Sequence, residues 1–169
     1  MPAAHNPSQL STDLPKAFLD SGHTITPLAH NSVTAVVLSR ERYRYDRAAE
    51  LSPLDLVLGW GPMSVSTVIN DLEISQSGRW YEDRCPGEPP LDPGLIATHS
   101  ANTHGLPADS EVRRRLLTIK RHDLITREGY LVEIAGSDGY HWRSSLSRDD
   151  TGGGACEVMW VTNVSSKRL

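Results

Sequence analysis

The sequence predicts a mainly β chain: a small, antiparallel, partly open barrel of the oligonucleotide/oligosaccharide-binding type with two or three short helices. Three observations carry this. The C-terminal half repeats apolar and polar residues at the strand period over 123–134, 140–146 and 156–161, with β-branched and aromatic side chains. Turn signals separate these runs, Gly136-Ser137-Asp138-Gly139 and Gly152-Gly153-Gly154. Residues 33–38 and a segment opening at Leu95 add two more strands, and a helix over 109–117 stands just before the strand that begins at Asp123. The alternative is a two-layer α+β arrangement, with helices over 53–58, 64–72 and 109–117 covering one sheet face.

Taken in order, residues 1–22 are polar and proline-bearing and read as an arm ahead of a single globular domain over 23–165. After the strand at 33–38, Tyr43 and Tyr45 alternate with Arg42 and Arg44. Ser52 as N-cap, Pro53 at the first helical position and Asp55 at the third predict a helix over 53–58, stopped by Gly59-Trp60-Gly61-Pro62. A second helix over 64–72 places Val65, Val68, Ile69 and Leu72 on one face. Ile74-Ser75-Gln76 and Arg79-Trp80-Tyr81 flank Ser77-Gly78 as a hairpin. The stretch 83–94, with Pro86, Pro89, Pro90 and Pro93, is a loop. Leu95-Ile96 then leads a strand into the polar string 98–105, and Asp109 or Ser110 caps the helix that follows.

Composition narrows the function classes. A net charge of -4 argues against a general nucleic-acid-binding surface, and the one dense basic run is Arg113-Arg114-Arg115 with Lys120, Arg121 and His122. No segment approaches the roughly 18 apolar residues of a membrane span, and the N-terminus lacks the pattern of a secretory signal. The expectation is therefore a soluble chain, cytoplasmic by default. Cys85 and Cys156 leave one possible disulfide, and the favoured reading is that Cys156 is a buried, inert thiol beside Val158 and Trp160.

Three strings carry a resemblance. They are 54–64, LDLVLGWGPMS; His99-Ser100-Ala101-Asn102-Thr103-His104 with Pro107-Ala108; and 144–157, SSLSRDDTGGGACE. Together they resemble a family of uncharacterised bacterial proteins, often hypothetical or membrane-associated, over about residues 24–162. The usual family pattern has Asp where this chain has Val65, and Asn where it has Gly153. The resemblance implies a shared fold and brings no activity with it.

The string His99 to His104 holds the densest chemistry: two imidazoles, a hydroxyl and an amide within six residues. Either His99 or His104 is a candidate general acid or base, with Ser100 or Asn102 orienting a substrate. As weak metal ligands the two histidines need a third donor such as Glu157, with Cys156, Asp55 or His141 as alternatives. Cys156 with a histidine would make a nucleophile pair. Asp55 with Asp71, or Glu73 with Glu82, would make a carboxylate pair. A ligand pocket is expected from Trp60, Trp80, His99, Ser100, Asn102 and His104, with Arg148 from the glycine-rich loop. Trp60, Trp80 and Trp142 would form a stacking groove, with Arg79, Arg143 and Arg148 as its basic rail. The leading expectation is a non-catalytic binding or accessory module for a small molecule or peptide. A small hydrolase using His99 or His104, and a single-stranded nucleic-acid binder, are the alternatives. No particular cofactor is indicated.

Overall fold

The computed structural model describes residues 1–147 and 156–169. The strands among the described residues are β1 (Ser8–Leu10), β2 (Phe18–Asp20), β3 (His23–Arg42), β4 (Leu54–Gly59), β5 (Glu73–Ser77), β6 (Trp80–Arg84), β7 (Ser100–Pro107), β8 (Asp123–Gly136), β9 (His141–Arg143) and β10 (Glu157–Arg168). Three short helices, α1 (Ser66–Asn70), α2 (Pro93–Thr98) and α3 (Ser110–Thr118), sit in the connections.

Hydrogen bonds run in a ring through β3, β4, β7, β10 and β8 and back to β3. The five ring strands, counted along the chain, therefore lie in the order first, second, third, fifth, fourth, with α3 between the third and fourth. This is the mainly β, partly open barrel that the pattern predicts. One pair departs from the antiparallel expectation, since β7 and β10 run parallel. A parallel pair needs a long crossover, and α3 with β8 supplies it.

The twenty residues of β3 pair with β8 along one edge, and with β2, β1 and β4 in succession along the other. Register shifts at Pro27/Ala29 and Val37/Ser39 bend it around the barrel. Pro27, which cannot donate to a ladder, falls at the first of these. Gly129 is required where β8 passes β10, because a Cβ there would overlap the Trp160 carbonyl. The segment 1–22, expected as an arm, supplies β1 and β2. Ala3 is buried, its carbonyl accepting from the Gly61 amide at 2.7 Å.

Leu54, Leu56 and Leu58 from β4, Val33, Ala35 and Val37 from β3, and Met159 and Val161 from β10 fill the barrel. Val112, Leu116 and Ile119, spaced to share one helical face, make α3 part of that core. Asp109 caps α3 through the Val112 amide at 2.8 Å. Each such fully buried aliphatic side chain contributes about 1.5–3 kcal/mol.

Two elements correct the sequence reading. Residues 54–59 form a central strand, not a helix, and this removes the α+β alternative. Every residue of β4 is buried, so the strand shows a continuous apolar run and no alternation. Leu95 and Ile96 belong to α2, whose first turn is capped by Asp92. The strand starts five residues later than Leu95, at Ser100.

Candidate functional site

The register of β4 on β7 sets Asp55 opposite His104, Val57 opposite Asn102 and Gly59 opposite Ser100. Leu54, Leu56 and Leu58 point inward, so by strand alternation Asp55, His104, Asn102 and Ser100 share the outer face. The β5–β6 hairpin and the β9 segment lie over that face, turning a solvent-facing sheet into a buried polar layer.

At its centre is Asp55, with no exposed side-chain surface. Arg79, at the tip of the hairpin, donates from Nη1 to Asp55 Oδ1 at 2.7 Å and to the Ser52 carbonyl at 3.0 Å. Its Nε and Nη2 both donate to the Asp46 carboxylate, each at 2.8 Å. The guanidinium lies 3.7 Å from the Tyr43 ring centroid, and Tyr43 Oη accepts from the Arg79 amide at 2.9 Å. Arg79 is held in the left-handed region at φ 71°, a conformation that places the side chain back over the sheet. His104 Nδ1 approaches Asp55 Oδ1 at 2.8 Å, an ion-pair distance whose angle falls short of a hydrogen bond. The Trp142 ring covers the imidazole at 4.6 Å between centroids.

The electrostatics follow from these contacts. Burial works against the Arg79 charge, but the carboxylates of Asp46 and Asp55 outweigh it and raise its pKa. Hydrogen bonds from Arg79 hold the Asp46 carboxyl below the usual carboxylate range. Burial pushes the Cys156 thiol up, away from the reactive thiolate.

The predicted site residues separate into several places. Asn102 belongs to the layer: Nδ2 donates to the Arg79 carbonyl at 2.8 Å, and Oδ1 accepts from Gln76 Nε2 at 3.3 Å. Ser100 donates to the Ile96 carbonyl at 2.7 Å and meets Tyr81 Oη at 3.0 Å, so its hydroxyl is engaged. His99 ends α2, with Nδ1 2.9 Å from the Leu95 carbonyl and its ring against Gly61, where a Cβ would stand 2.8 Å from Cδ2. By strand rise, His99 and His104 are roughly 15 Å apart. Trp60 is inside the barrel core, with 1% of its surface exposed. Trp80 follows Arg79 and is half exposed. Arg148 lies outside the described residues.

This geometry does not bring the three candidate metal ligands, His99, His104 and Glu157, together. Val158, not Glu157, is the β10 partner of His104. Glu157 alternates with Val158 and shares the inner face with Met159, on the opposite side of the sheet from His104. Among the described residues, no three His, Cys, Asp or Glu side chains converge as a metal centre. Cys156 neighbours Asn102 and the Arg79 carbonyl, at 3.9 Å and 3.8 Å, and makes no described hydrogen bond to an imidazole. Both cysteines are free thiols. The expected basic rail is also taken up, since Arg79 is paired as above and Arg143 binds Glu133 at 2.7 Å.

Sequence reasoning did not name Arg79 as the partner of Asp55, nor Asp46 and Tyr43 as partners of Arg79. A usable signal was present: a lone carboxylate inside the apolar run Leu54-Asp55-Leu56 must find a cation if the run is buried. It also passed over Arg127, fully buried on the inner face of β8, which donates to Thr103 Oγ1 at 2.9 Å. Burial lowers its pKa to about 10, and Glu157 works against that shift. In comparisons with known proteins, no family model, no curated protein and no solved structure matches the chain.

Proposed function

We propose that the chain is a non-catalytic binding module whose ligand meets a rim of aromatic side chains around the Asp55 layer. One observation carries the reading. Aromatic residues from three separate connections belong to or adjoin a single charge network: the rings of Tyr43 and Trp142 face the Arg79 guanidinium at 3.7 Å and 5.8 Å, and Tyr45 and Trp80 are the chain neighbours of Asp46 and Arg79. Tyr45 is 96% exposed and Trp80 48% exposed. Large apolar planes left in water next to a rigid, internally paired floor are suited to a flat ligand. In small barrels of this type the outer face of the second and third strands and the loops beside it are the usual binding surface, an analogy of fold. The resemblance to uncharacterised bacterial proteins remains part of this proposal and adds no ligand.

The second reading is a small hydrolase using His104, favoured by the approach of Asp55 to Nδ1. The covering Trp142 ring and the engaged hydroxyl of Ser100 speak for the binding reading. Intrinsic tryptophan fluorescence titrated with oligosaccharides, short peptides and oligonucleotides tests it. A saturable change that is lost in Tyr45→Ala/Trp80→Ala supports the rim. Hydrolysis of an ester or amide panel that disappears in His104→Ala would move the assignment to the second reading.

A further inference from the structure

The groups that bind the Arg79 guanidinium all come from one stretch of chain. The Asp46 carboxylate accepts from Nε and Nη2, the Ser52 carbonyl and Asp55 accept from Nη1, and the Tyr43 ring lies against the cation. Residues 43–55 connect β3 to β4 and enter β4, so this set belongs to the barrel. Arg79 does not. It stands on the β5–β6 hairpin, a two-stranded sheet of its own that, among the described residues, makes no backbone–backbone hydrogen bond to the barrel. Ile74 roots the hairpin in the apolar cluster of Val36, Val57 and Met63, whereas the tip is fastened by polar contacts of Arg79 and its peptide groups. That tip is a two-residue turn between the paired residues Ser77 and Trp80, with Gly78 at φ 58° and Arg79 at φ 71°. Such turns favour glycine or asparagine at both central positions. An arginine there strains the backbone, and what the strain delivers is the side chain. The charges it meets are unequal. Asp46 and Asp55 share this one guanidinium, and Asp55 Oδ2 is buried with no hydrogen-bond partner.

We propose that residues 43–55 form a guanidinium receptor, that Arg79 occupies it as a resident plug, and that an arginine-bearing peptide takes its place when the hairpin tip withdraws. Two carboxylates, a backbone carbonyl and an aromatic face are what a planar cation with N–H groups along its edges can satisfy together. A lysine ammonium matches neither the paired carboxylate oxygens of Asp46 nor the ring face as well. The site opens to solvent along Asp46, which is exposed. Trp80, next to Arg79 in the chain, and Tyr45, next to Asp46, offer exposed rings to residues flanking the incoming arginine. An acidic peptide or a nucleic acid would meet two carboxylates, so charge complementarity selects a basic partner. The plug competes from within the chain at an effective concentration on the order of millimolar, so a lone guanidinium binds wild type poorly and a peptide with further contacts is favoured. The inference rests on the aromatic rim, because Tyr43 and Trp142 face the same guanidinium, and it names the chemical class of the ligand.

The test empties or weakens the plug in the full chain. Arg79→Gly removes it and gives the turn a residue suited to its φ. The melting temperature of this variant should rise with low-millimolar methylguanidinium and move far less with methylammonium, while wild type responds to neither. A capped peptide with one central arginine, followed by the Trp142 indole resonance, should bind wild type weakly. It should bind Arg79→Lys, which keeps a cation at the tip but fits the receptor poorly, about tenfold tighter. Its citrulline counterpart should bind neither protein. Arg79→Lys carries the test alone if Arg79→Gly does not fold. Equal responses of Arg79→Gly to the two cations would overturn the inference, as would an arginine peptide that binds Arg79→Lys no tighter than wild type or binds neither. If oligosaccharides or neutral peptides still give a fluorescence change that Tyr45→Ala/Trp80→Ala abolishes, only the guanidinium assignment fails. If no ligand does so, the rim fails as well.

Discussion

Replacing Arg79 by methionine removes the cation on which the outer layer is built while keeping most of its apolar stem. The loss can be worked from the geometry. Asp55 has no exposed side-chain surface, and Arg79 retains 14%. Breaking a buried pair from one side costs about 3–5 kcal/mol, because the remaining charge stays desolvated. The Asp46 pair adds at most about 1 kcal/mol, since Asp46 is 41% exposed. Arg79 keeps part of its surface in water, so the lower end applies, about 3 kcal/mol in all. In urea unfolding this is a midpoint lower by about 1–2 M at unchanged slope. Asp55→Asn introduced into Arg79→Met removes the stranded carboxylate, and the double-mutant cycle should return a coupling of about 2 kcal/mol or more. A loss under about 1 kcal/mol with no coupling would refute the reasoning. Arg79 would then be held by the exposed Asp46 alone, and Asp55 would not need it.

Three further outcomes follow from named contacts. The Asp46 carboxyl lies below its unfolded-state pKa, so its contribution is present above that value and is lost as pH falls through the folded-state value. The stability gap between wild type and Asp46→Asn should therefore close on acidification below about pH 4, and parallel stability–pH curves would count against the pair. Cys156, its thiol pushed up by burial, should alkylate at pH 8 more slowly than a free model thiol, measured by mass spectrometry. A faster rate would revive the nucleophile. In the barrel interior, Arg127→Ala should cost about 3 kcal/mol or more in chemical denaturation, and Arg127→Met should recover most of it by restoring volume without a buried charge. Equal losses for the two variants would mean that the charge, and not the volume, is what the interior requires.

Strand signals were readable wherever one face meets the core and the other meets water, as along β8 and the β5–β6 hairpin. The helix α3 was readable for the same reason, with Asp109 as its cap and an apolar face at Val112, Leu116 and Ile119. Where an element is covered on both sides the period disappears, and β4 could be taken for a helix with Ser52 and Pro53 as its start. The site failed to show for a related reason. Asn102 and His104 are legible as a polar string, but the Arg79–Asp46 pair beside them comes from distant connections. Only the register of Asp55 on His104 and the turn at Arg79 bring them together. Arg127 was invisible because an arginine in a strand is ordinarily a solvent-facing one.

The most direct test of the aromatic rim is amide and indole NMR of the labelled chain during titration with the ligand that gives the strongest fluorescence response. The account predicts shifts confined to the β3–β4 connection around Tyr45, the hairpin tip at Arg79 and Trp80, and Trp142, with Asn102 and His104 following as the floor beneath. Shifts centred instead on the recess lined by Ser8, His30 and Tyr130, with the Trp80 and Trp142 indoles unmoved, would contradict it.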